Sequence, residues 1–130
     1  MSIGTSATPL GKVRGLGSAA HGGAHWLEER FVAVALVPLS LWLIFSLTML
    51  PDLAQRTLAE WLRAPSAAVP MALFVIAAFK HGLDGTKVLI DDYVHDEGNR
   101  VGSHYLVAMA AVAGAALSLF ALARIAFTAA

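Results

Sequence analysis

The chain contains no cysteine, which excludes disulfides, thiolate metal sites and a thiol nucleophile and leaves the redox compartment open. It is also poor in charge. Only 14% of its 130 residues are Asp, Glu, Lys or Arg, against 58% hydrophobic, a balance well outside that of a soluble globular domain. Nine basic residues offset nine acidic ones, so there is no broad basic field of the kind nucleic acid requires, and nucleic acid is excluded as a partner. The length holds one domain, with no room for a catalytic domain of ordinary size beside the apolar segments. No internal repeat is visible. No dinucleotide fingerprint is present either, because the glycines of GLGSAA and HGGAH follow no strand and open no βαβ unit.

What the chain does have is long apolar runs. Phe31 to Leu50, FVAVALVPLSLWLIFSLTML, carries no charge over about twenty residues, the length that crosses a hydrocarbon core of about 30 Å. Pro51 and Asp52 stop it, and the polar stretch to Arg63, with Glu60 and Trp61, suits an interfacial loop or short helix. A second run opens near Ala67 and spans the bilayer only if it continues through Lys80, His81, Asp84 and Lys87 to about Ile90. Continuation is the reading adopted, since Val88, Leu89 and Ile90 resume the apolar character and neither Pro nor Gly interrupts Met71 to Lys80. The third run, Leu106 to Phe127, is rich in Ala, with Gly114 and Ser118, small residues that let helices pack closely. The pattern predicts an all-α integral membrane protein, with a tail over residues 1–30 and a three-helix domain over 31–130 whose spans cover about 31–50, 67–90 and 105–127.

The Gly-, Ser- and Ala-rich tail lacks the continuous apolar core of a signal peptide and the Arg-rich, acid-poor character of a mitochondrial presequence, so a bacterial inner membrane is expected. Three spans put the N-terminus and the loop between spans two and three on one side. That side carries Lys12, Arg14, Arg30, Lys87 and Arg100 against Arg56, Arg63 and Arg124 on the other, which predicts a cytoplasmic N-terminus.

The stretch FKHGLDGTKVLIDDYVHDE, Phe79 to Glu97, places two histidines, two lysines and five acids where the second run ends. Ionisable groups inside a span are costly and face a bundle interior, a cavity or a cofactor. The His81 ring can ligate haem iron as a neutral imidazole, or simply bond a neighbouring carbonyl, and the residue alone leaves both open. Gly85, four residues on and on the same face, removes a side chain where a flat macrocycle can lie. Lys80 and Asp84 share that spacing and are expected to pair, mainly as a structural device. Lys87 is expected to reach toward the headgroups, and Asp91, Asp96 and Glu97 to sit in water. Asp92 and Tyr93 follow His81 by about eleven and twelve residues, roughly 16 to 18 Å along a helix. A phenol there can donate to a quinone carbonyl with the carboxylate orienting it or relaying protons, or serve as an ordinary interfacial tyrosine.

The run HGLDGTKVLIDDYVH, His81 to His95, resembles the signature of the hydrophobic membrane anchor of succinate dehydrogenase, respiratory complex II, in its alphaproteobacterial and mitochondrial-like form. A second segment, AHWLEERFVAVALVPLSLW from Ala24 to Trp42, is similar to that family's entry into its first span. The resemblance implies a helical bundle completed by a second membrane protein, a cytochrome b-type subunit, and a complex with an iron-sulfur subunit and a flavoprotein subunit. It implies His81 as one axial ligand of haem b, with the second from the cytochrome b-type subunit. It implies Tyr93 at a ubiquinone carbonyl with Asp92 as its neighbour, and Arg30 near the haem propionates. Two acids, Glu28 and Glu29, precede Arg30 and offer it a local ion pair instead. His21, His25, His95 and His104 match no role. The chain on this reading is part of an enzyme rather than an enzyme alone, passing electrons from iron-sulfur clusters to quinone. A quinol:fumarate reductase anchor and a cofactor-free three-span scaffold are the alternatives.

Overall fold

A computed structural model of the chain describes residue 9 and residues 22–128. Lys12, Arg14 and His21 lie outside the described residues, as does the His25 side chain. Four helices follow in order: α1 over Gly22–Thr48, α2 over Gln55–Arg63, α3 over Pro65–Tyr93 and α4 over Glu97–Phe127. No strand occurs among the described residues. Three stretches, Trp26–Thr48, Pro65–Tyr93 and Glu97–Phe127, are long and apolar enough to cross a membrane.

The ends of these helices follow from local chemistry. α1 starts ahead of the apolar run that opens at Phe31, because Trp26 and Leu27 already suit the bilayer interface and nothing in GGAHWLEER breaks a helix. The Asp52 carboxylate then organises the turn into α2, accepting from the Ala54 N–H at 3.0 Å and the Thr57 hydroxyl at 2.6 Å. These bonds, the Thr57 hydroxyl first and the Ala54 N–H second, hold the Asp52 carboxyl below its ordinary value. α2 is the short helix foreseen after Pro51, with Leu58, Trp61 and Leu62 on its apolar side. Its Trp61 ring stacks on Trp42 of α1 at 5.7 Å. One residue, Ala64, separates α2 from α3, whose first position is Pro65, where the missing N–H forfeits nothing. α3 ends where Val94 turns extended, and Asp96 caps α4 by accepting from the Asn99 N–H at 2.9 Å.

At 29 residues α3 measures about 43 Å, which exceeds the hydrocarbon thickness and carries its last turns into the headgroup layer. α3 packs against both α1 and α4, whereas α1 and α4 do not meet, so the three spans form a row with α3 in the middle and α2 closing one end beneath α3 and α4. Gly114 of α4 receives the Phe79 ring of α3, and a Cβ at that position would sit 2.5 Å from Phe79 Cε1. Such a row buries little of itself. Ala67, Ile90 and Leu122 are the buried hydrophobic side chains, while Phe31, Leu106 and Met109 are each more than 70% exposed.

Candidate functional site

α3 supplies the site because it alone touches two other spans. On its α1-facing side, residues 81, 84, 85 and 88 form one stripe of a 3.6-residue helix. That stripe and the residues Glu29, Arg30 and Ala33 of α1 line a groove of about 160 Å³. His81 and Arg30, separated by some fifty positions in sequence, therefore share one cleft. Both are exposed. Gly85 is open, with nothing within 4 Å of where a Cβ would stand.

Asp84 lines the groove as its buried member, 8% exposed. Lys80 Nζ meets its Oδ2 at 2.5 Å, the pairing expected from the spacing. The same Nζ reaches Glu28 Oε1 of α1 at 3.1 Å, a contact between helices that spacing within one helix does not reveal. One ammonium thus answers two carboxylates and ties α1 to α3. Glu28 is engaged there, and the Arg30 guanidinium stands 5.5 Å from the Trp26 ring centroid, a cation–π arrangement that steadies its stem at the groove mouth.

Asp92 and Tyr93 occupy the far end of α3. At 100° per residue, Asp92 falls about 20° from His81 around the helix and continues its stripe, whereas Tyr93 is rotated by about 120°. Tyr93 is 77% exposed and Asp92 is exposed as well. Their backbone is pinned from the other side, where Asp91 Oδ1 lies 2.8 Å from His104 Nε2 of α4. Sequence reasoning put Asp91 in water and gave His104 no role, and only the α3–α4 packing reveals the pair. His95 is exposed between the helices.

A cleft that offers an outward imidazole, a guanidinium and a bare backbone patch can hold one face of a flat, carboxylate-bearing metal macrocycle. It encloses nothing alone.

A family model described as succinate dehydrogenase/fumarate reductase transmembrane subunit matches residues 4–122. The chain belongs to that family. Similar proteins agree. The succinate dehydrogenase hydrophobic membrane anchor subunit of Paracoccus denitrificans is 33% identical over 117 residues, 90% of each chain. That of Rickettsia bellii is 34% identical over 84 residues, 64% of this chain and 66% of the relative. The succinate dehydrogenase membrane anchor subunit of Reclinomonas americana is 29% identical over 94 residues, 70% of this chain and 78% of the relative. Family membership and the three apolar helices make this a multi-pass membrane protein, and one component of a complex rather than an enzyme by itself.

Proposed function

We propose that the chain is the membrane anchor of a succinate:ubiquinone oxidoreductase and supplies half of a haem b site and one wall of a ubiquinone site. The observation that carries this reading is the meeting of His81, Arg30 and Gly85 in one groove, with both side chains exposed and the Gly85 surface clear. The residues fit the group. His81 offers a nitrogen lone pair on an exposed ring, Gly85 leaves its surface clear, and Arg30 is placed to bond a propionate with charge assistance. The acidity of Asp84 is answered by Lys80, so it does not repel that propionate unopposed.

When bound, haem supplies reversible one-electron redox chemistry. A cytochrome b-type subunit would complete the haem site that His81, Arg30 and Gly85 begin. In the complex, an iron-sulfur subunit would deliver the electrons that a flavoprotein subunit takes from succinate. Tyr93 donates its hydroxyl proton in a hydrogen bond to a ubiquinone carbonyl as charge develops there. Asp92, next to it at the headgroup level, orients the phenol or returns a proton to it from water. The names of the relatives favour succinate oxidation over fumarate reduction. The expected setting is a bacterial inner membrane with the N-terminus cytoplasmic, since the N-terminal side holds five of the eight basic residues flanking the spans when Lys12 and Arg14 are counted with Arg30, Lys87 and Arg100.

The test is the haem content of the intact complex. His81→Ala should abolish the b-type Soret and α bands per mole of flavin while the other subunits still co-purify. Unchanged haem content would leave a cofactor-free scaffold as the better account.

A further inference from the structure

The other end of the row holds a second cationic feature. Arg63, in the last turn of α2, and Arg124, in the last turn of α4, line one groove of about 340 Å³ with Ala59, Ala121, Ile125 and Thr128. Neither arginine has a carboxylate within ion-pair distance among the described residues, and Arg63 Nε is buried with no hydrogen-bond partner. The acids at this end are committed elsewhere. Glu60 holds Arg56 at 2.9 Å, and Asp52 holds Ala54 and Thr57. Nor do the arginines serve as helix caps. The Ala64 N–H bonds the Trp61 carbonyl, and the Thr128 N–H and hydroxyl both bond the Arg124 carbonyl. A buried guanidinium nitrogen without an acceptor calls for an anion.

Depth identifies the anion. The amphipathic α2, with Arg56, Glu60 and Arg63 on a short helix between two spans, has the character of a segment in the headgroup layer, where lipid phosphates lie. Beside the guanidinium groups the groove wall includes Ala59, Ala121 and Ile125, an apolar surface that suits the start of an acyl chain. None of its lining comes from α1, so it stands apart from the α1–α3 cleft that the second membrane polypeptide covers. We infer that Arg63 and Arg124 together bind a phosphate group at the α2–α4 groove, that of a membrane phospholipid, through the forked geometry that guanidinium groups offer phosphate oxygens.

The intact complex, stripped of lipid in detergent, is titrated with a fluorescent short-chain phosphatidylglycerol, with the corresponding diacylglycerol as a phosphate-free control and millimolar inorganic phosphate as competitor. Saturable binding of the phosphatidylglycerol and not of the diacylglycerol is expected. R63Q/R124Q should weaken it by about tenfold or more, the loss expected when charge-assisted bonds go. Displacement by inorganic phosphate assigns the site to the free anion instead of the lipid. Equal binding by the wild type and R63Q/R124Q overturns the proposal. So does loss of a neighbouring polypeptide from the R63Q/R124Q complex with lipid binding intact, which makes these arginines a protein interface. The haem bands serve as an independent control, because His81 lies in the separate α1–α3 groove.

Discussion

At the scale of single residues, the account rests on side chains that point away from their own chain. Tyr93 makes no contribution to packing, being 77% exposed, so removing its hydroxyl tests chemistry rather than stability. Tyr93→Phe should lower quinone reduction by roughly 10-fold to 100-fold, the worth of one hydrogen bond to a developing charge. Succinate oxidation measured with an artificial acceptor should persist. Equal loss of both activities contradicts the role given to the phenol. Residue by residue, the positions of His81, Gly85, Asp92 and Tyr93 stood out in sequence as ionisable or bare groups within or just past an apolar run, while the roles proposed for them come from the family resemblance. The stripe shared by His81, Gly85 and Asp92 follows from helical periodicity, and Tyr93 lies off it. The partners of Lys80 divide instructively: Asp84 was visible as an i,i+4 neighbour, while Glu28 was not, since it comes from another helix.

At the scale of elements, two contacts align the spans. The first is the Glu28–Lys80–Asp84 cluster between α1 and α3. Lys80→Met strands the buried Asp84 charge and should destabilise the anchor by about 1–3 kcal/mol, less than a fully buried pair because the Lys80 side chain keeps 35% of its exposure. Lys80→Met with Asp84→Leu should recover most of that loss, and the comparison of thermal midpoints in detergent decides it. A double variant no more stable than Lys80→Met shows that the charges are not the issue. The second contact is Gly114 against the Phe79 ring. Gly114→Val places new atoms where a Cβ already comes within 2.9 Å of Phe79 Cζ, so the ring must swing and the α3–α4 seam loosens by about 1–3 kcal/mol. Increased hydrogen exchange in both helices would register it, and unchanged exchange would count against the seam. The existence of the three long helices was legible from apolar length. The start of α1 at Gly22 was not, because its first turns, with two glycines, Glu28, Glu29 and Arg30, lie ahead of the charge-free run and apolar length does not mark them.

At the scale of the whole molecule, the row of spans explains why the chain needs company. Few side chains are buried, large hydrophobic ones stand exposed along every span, and the charged groove between α1 and α3 is open on one side. A membrane solvates the apolar flanks, but an exposed imidazole within a span and a guanidinium at the start of another are costly to leave against lipid. Membership of a complex was legible in sequence through the family resemblance, and the family match bears it out. The cleft that unites Arg30 with His81 was not, because it depends on how α1 leans on α3. The most direct measurement is an experimental density map of the complete complex extracted from membranes. The account predicts porphyrin density beside Gly85 with a His81 ring nitrogen bonded to its iron and a second ligand from the neighbouring polypeptide. A map in which His81 faces lipid, with no porphyrin in that groove, contradicts it.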